Sequence, residues 1–163
     1  MSALGVALCL RGHGESPADL ERGISCLRLA LDVRTPDWDA RGWGRVNSNL
    51  AAALLATMKD GEGRTSLALA ESHLASAGEM LTAETPDRWA MLQVTRARAA
   101  LRHEEVNTAN EEEITAALEP ALANAAAYLP PDLVLLGLEQ LAELHQRLAG
   151  KDASSPHRMW GAV

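Results

Sequence analysis

The feature that most constrains this chain is a phrase that recurs three times. It reads Thr35-Pro36-Asp37, then Thr85-Pro86-Asp87, then Pro130-Pro131-Asp132. Each copy follows one helix-like apolar run and opens another. The aspartate-linked prolines Pro36, Pro86 and Pro131 lie 50 and 45 residues apart. Self-similarity on that scale is the signature of stacked helical hairpins, in which no unit buries its apolar face alone.

Residue usage agrees. The apolar fraction is 47%, there is no Phe, and Trp38, Trp43, Trp89 and Trp160 supply nearly all the aromatic bulk. The apolar residues are mostly Ala and Leu, which lead the helix scale, whereas strands favour β-branched and aromatic side chains. The expected fold is therefore all-α, a right-handed stack of antiparallel hairpins with seven helices, in one domain over residues 1–150. Residues 151–163 are expected to be a mobile tail.

Punctuation places the helices. Gly12-His13-Gly14 stops a first helix over 2–11. Ser16-Pro17 caps and opens a second, with Leu20, Ile24, Leu27 and Leu31 in step, which ends before Pro36. A third helix starts with Thr35 as cap and carries Trp43, Val46, Leu50 and Leu54; residues 60–63 break it. A fourth spans 65–83 with Leu67, Ala70, Leu74, Ala77 and Leu81 on one face. The fifth opens at Pro86 with Trp89 and Leu92. A sixth starts near Asn110 as cap, with Ile114, Leu118 and Leu122, and is kinked by Pro120. The seventh opens at Pro131 and ends at Gly150. Short turns make neighbours antiparallel.

Two stretches carry a resemblance to a known family. One is Leu4-Gly5-Val6-Ala7-Leu8 through Ala18-Asp19-Leu20-Glu21-Arg22-Gly23-Ile24 to Leu27-Arg28-Leu29-Ala30-Leu31-Asp32-Val33-Arg34-Thr35-Pro36-Asp37. The other is Thr85-Pro86 followed by Trp89-Ala90 and Gln93. Both resemble tetratricopeptide-like repeats, in the long-loop variant common in bacterial multidomain proteins, including those with caspase-like CHAT domains. The resemblance covers most of residues 2–128. It implies a solenoid whose third, fifth and seventh helices line a concave binding face. The units are longer than the ordinary 34 residues, no caspase-like catalytic domain is present, and Arg96 stands where the variant favours Leu. The array opens inside a first helix. Either Met1 to Leu10 is covered by a partner or a second copy, or the chain is a piece of a longer array.

Charge and motifs narrow the function. A net charge of -7 argues against a general nucleic-acid binder. Two cysteines, Cys9 and Cys26, make no disulfide framework and read as small core residues in a reducing, cytoplasmic setting. No signal-peptide pattern and no membrane-length apolar run is present. The five histidines form no metal-ligand spacing, and no nucleophile elbow or phosphate loop occurs. No catalytic residue, cofactor or metal is assigned. The expectation is a non-catalytic adaptor, regulatory or assembly module that binds a protein or peptide. The candidate site residues are Asn47 and Gln93, each one turn past a Trp and offering its amide to a bound backbone, with Arg41, Arg45 and Arg96 in an arginine cluster reaching to Arg98 and Arg102. The alternatives are an interhelical small-molecule or enzyme pocket lined by Trp43, Trp89 and Met91, and a structural remnant that dimerises through its first helix.

Overall fold

A computed structural model describes residues 2–12, 16–58, 64–103 and 107–154. They form seven helices, α1 (Ser2–Gly12), α2 (Pro17–Val33), α3 (Pro36–Thr57), α4 (Arg64–Met80), α5 (Pro86–Ala100), α6 (Thr108–Ala125) and α7 (Pro131–Ser154), and no strand occurs among the described residues. Every helix packs on the next in sequence, and α1 on α3, α3 on α5 and α5 on α7 also touch.

The helix starts show where the sequence signals act. Ser16 sits in extended geometry and its Oγ accepts from the Asp19 N–H, so it caps α2 as its chemistry requires. Thr35 and Thr85 also occupy cap positions, but neither makes a side-chain cap bond. The Thr85 hydroxyl donates back to the Thr82 carbonyl instead. In α3 the cap is Asp39, which breaks the helical run at φ -147°, ψ 69°. Its Oδ1 accepts from the Gly42 N–H at 2.9 Å, and its Oδ2 pairs with Arg34. Pro36–Trp38 thus form a lead-in turn, and the long helix starts from Asp39.

Three boundaries differ from the sequence expectation, one of them the end of α4, at Met80 in place of residue 83. Asn107, not Asn110, caps α6, accepting from the Asn110 N–H. This brings Glu111 into the helix and into the interior, at 1% exposed. Helix α7 runs through Gly150 to Ser154, so the expected tail is helical at its start. Gly150 does not take the left-handed φ by which a glycine ends a helix, and nothing lies near its absent Cβ. The rest of that tail, residues 155–163 with Met159 and Trp160, lies outside the described residues. Helix α6 continues through Pro120.

Neighbours in the chain run antiparallel. Gly5 faces Leu27 and Cys9 faces Gly23 across α1 and α2. A Cβ at Gly23 would stand 2.9 Å from the Gly5 carbonyl oxygen and from the Cys9 backbone nitrogen, so these helices touch backbone to backbone. Asn47 meets His73 across α3 and α4, and Arg96 meets Glu113 across α5 and α6.

The apolar interior has two parts. One gathers α2, α3 and α4 around Leu27, Val46, Leu50, Leu55 and Ala70, and takes only Leu92 and Ala99 from α5. The other gathers α5, α6 and α7 around Ala90, Ala97, Leu118, Ala125 and Leu144. Helix α5 lies on the seam and serves both.

A buried ion pair closes the second part. Arg147 of α7 donates to Glu111 Oε1 at 2.9 Å, with side chains 18% and 2% exposed. Its guanidinium also donates to the carbonyls of Ala100 and His103 at the end of α5. One side chain thereby ties the C-terminus of α5, the start of α6 and the second half of α7. At the same end of α5, His103 Nε2 lies 2.6 Å from Glu71 of α4.

Candidate functional site

The site residues expected from sequence fall in three different places. Asn47 is 2% exposed and already committed. Its Nδ2 donates to the Trp43 carbonyl at 3.0 Å, and its Oδ1 lies 2.8 Å from His73 Nδ1. A carbonyl oxygen only accepts, so the amide orientation is settled, and His73 must carry its proton on Nδ1 to donate to Oδ1. Burial, and secondarily the charge of Arg28, hold the His73 imidazole below its ordinary pKa of 6.5, so it is neutral at pH 7. Gln93 is equally buried, at 2%, and its Oε1 has no hydrogen-bond partner. Both amides belong to the interior and neither is presented to a ligand on an open face. Their shared phase one turn past a Trp points inward, onto the covered side of the helix.

Arg96 lies on the flank of α5 turned to α6 and pairs with Glu113 at 3.2 Å. Two residues on, a side chain points about 200° away around a helix, so Arg96 does not join Arg98. Arg41 and Arg45 do lie on an open flank, exposed and half-buried respectively.

That flank is built by subtraction. On α5, Leu92 and Ala99 face the first core, and Ala90, Val94, Ala97 and Ala100 face the second. What remains is Met91, Thr95 and Arg98, all half-buried, continued by exposed Arg102 in the turn just past the helix; Met91 also packs in part against the second core. On α3 the corresponding remainder is Arg41, Arg45, Asn49, Ala52 and Ala56, of which Ala56 packs in part against the first core. The two rows adjoin, because Arg45, Ser48 and Asn49 line a notch together with Leu81, Arg88 and Met91. The notch encloses about 10 Å³, room for roughly one water and far below a ligand cavity of several hundred Å³.

The electrostatics of this flank are one-sided. Arg41, Arg45, Arg98 and Arg102 make no ion pair among the described residues, and Arg88 pairs only with its neighbour Asp87, at 3.2 Å on the surface. Burial, and then the adjacent charge of Arg102, lower the pKa of the Arg98 guanidinium. Two like charges thus lie close together, one of them half-buried. Paired carboxylates elsewhere show that the chain has acids to spend, on Arg34, Arg96 and Arg147.

Of the residues proposed for an interhelical pocket, Trp89 and Met91 both pack in part against the second core, and Met91 also lines the one-water notch. Trp43 belongs to α3, where its carbonyl receives Asn47. Among the described residues no group of three or more His, Cys, Asp or Glu is placed to hold a metal ion, and no helix is long and apolar enough to cross a membrane. Cys9 and Cys26 are free thiols, both half-buried, and burial together with Cys26 pushes the Cys9 thiol up from 9.0.

Sequence reasoning missed three features. The first is the Glu111–Arg147 pair, whose members are 36 positions apart, too far for any local pattern. The second is the link between Asn47 and His73. The third is Arg88, which follows the second Pro-Asp phrase directly and lies in the notch. Comparison with known proteins finds no matching family model, no matching curated protein and no matching solved structure.

Proposed function

We propose that the chain is a tetratricopeptide-like, right-handed stack of helical hairpins that binds a protein or peptide segment, without catalysis, along the open flank of α3 and α5. The observation that carries this reading is the pair of adjoining rows, Arg45-Asn49-Ala52-Ala56 and Met91-Thr95-Arg98-Arg102. They are half-buried or exposed, with only Ala56 and Met91 packed in part against a core. The contacts between α1, α3, α5 and α7, in addition to those between successive helices, support the stacked arrangement. In such a stack, small central residues (Ala52, Ala56 and Thr95 here) leave width for an extended chain.

Photo-crosslinking tests this. A crosslinking side chain at Thr95 should form protein or peptide adducts in the cells that make this chain, while one at Leu69, 44% exposed on α4, should not. Equal adduct yield from both positions, or none from Thr95, removes the reading.

A second reading, self-association through α1, draws on Leu4, which is 53% exposed where Leu8 is buried at 7%. Charge at Leu4 tests that interface without entering the core. A dimer by light scattering that Leu4→Glu leaves intact would exclude it.

A further inference from the structure

We propose that the segment taken on this flank is acidic. It is a stretch of polypeptide whose Asp or Glu carboxylates are held by Arg98 and Arg102 at one end and by Arg45 and Arg88 at the other. The inference rests on the open flank of α3 and α5 being the binding surface, and it names the chemistry of what binds there.

Position supports it first. Arg45 and Arg88 converge on the notch beside Met91. Arg98 follows Met91 by seven residues on the same side of α5, about 10 Å at 1.5 Å per residue, and Arg102 lies in the turn that follows the helix. An extended chain advances about 3.3 Å per residue and turns alternate side chains to one side. About four residues of an extended acidic segment therefore span from the notch to Arg98. Between them Asn49, Ala52, Ala56 and Thr95 carry no charge and no bulk.

Charge supports it second. Ion pairs elsewhere join Arg34 with Asp39, Arg96 with Glu113 and Arg147 with Glu111. Among the described residues Arg41, Arg45, Arg98 and Arg102 of this flank make no ion pair, nor do Arg28 and Arg64 elsewhere. On α6, Glu113 is engaged with Arg96 and Glu111 with Arg147. Guanidinium groups set close together offer planar, forked donors suited to carboxylates.

The overall charge of -7 does not oppose this. Fields are screened over about 8 Å at physiological ionic strength, so a bound carboxylate senses chiefly the nearby arginines, although Arg88 keeps Asp87 as a neighbour. The same overall charge disfavours a polyanion as long as a nucleic acid, which would run off the row onto acidic surface.

Fluorescence anisotropy on the full chain provides the test. The probe is a labelled decapeptide of repeating Glu-Ser, with repeating Gln-Ser as control. The Glu-Ser peptide should bind and the Gln-Ser peptide should not, and binding should weaken several-fold as salt is raised. Arg98→Gln and, at an exposed position that leaves folding untouched, Arg102→Gln should each weaken binding about tenfold or more. Arg96→Gln should leave it unchanged. Equal binding of the two peptides overturns the proposal, as does full affinity in Arg102→Gln or an equal loss in Arg96→Gln. A labelled single-stranded oligonucleotide that binds more tightly than Glu-Ser, and is released by the same two variants, overturns it in favour of nucleic acid. Crosslinks from Thr95 without any binding of Glu-Ser overturn the acidic partner alone and leave the binding flank standing.

Discussion

Replacing Arg147 with Met removes the donor that serves Glu111 Oε1, Ala100 O and His103 O while keeping much of the aliphatic stem. The Glu111 carboxylate is left 2% exposed with no counter-charge, and its Oε2 already lacks a partner. Breaking a buried pair from one side costs about 3–5 kcal/mol, because the remaining charge is neither hydrated nor compensated. For a chain of this length that corresponds to a fall of roughly 6–20 °C in Tm. Removing both partners is a different perturbation. Glu111→Met with Arg147→Met leaves no buried charge, so the double variant should lie within about 1 kcal/mol of wild type. Urea unfolding followed by circular dichroism gives both numbers, and an unchanged m-value verifies that the folded and unfolded states are comparable. The reasoning fails if Arg147→Met costs less than about 1 kcal/mol, or if the double variant is no more stable than the single.

Three further expectations follow from local geometry. Asp39→Ala should cost about 1–2 kcal/mol by uncapping α3, whereas Thr35→Ala, with no cap bond to lose, should cost under about 0.5 kcal/mol, both read from chemical unfolding. Gly23→Ala should destabilise by about 1–3 kcal/mol, since its Cβ would press on the backbone of α1. Gly78→Ala, with open space around its Cβ, should stabilise α4 by about 0.5–1 kcal/mol in the same assay. The depressed pKa of His73 means that the unfolded state takes up its proton first as pH falls. Its contribution is therefore present in full above 6.5 and is lost as pH drops from there through the lowered folded value. His73→Gln should narrow the difference in Tm between pH 7.5 and pH 5.

The order and rough limits of the helices were legible because apolar steps of three and four and the Ser-Pro and Pro-Asp starts are local signals. Leu67, Ala70, Leu74, Ala77 and Leu81 are all buried, as their spacing implies. Cap chemistry was harder to read. A Thr before Pro has the right position, but Asp39, the second carboxylate along, takes the cap bond, from the Gly42 N–H. The fate of Asn47 and Gln93 depended on which neighbour covers which flank. Periodicity gives the phase of a side chain around its own helix, and the partner that satisfies Asn47 lies 26 residues away on α4. Arg96 could have been separated from Arg98 by phase alone. The open arginine row needed the packing of α3 against α5 to become visible as one surface.

The seam through α5 has a mechanical consequence. The N-terminal core draws only Leu92 and Ala99 from that helix, one of them a methyl group, so its adhesion to the C-terminal three helices is thin beside the packing within each half. Loss of α6 and α7 therefore exposes one side of α5 without dismantling α2–α4, and amide exchange in the two halves should proceed with separate free energies. A segment lying across Arg45 on α3 and Arg98 on α5 would bridge that weak joint from outside, acting as a splint between two independently fraying pieces.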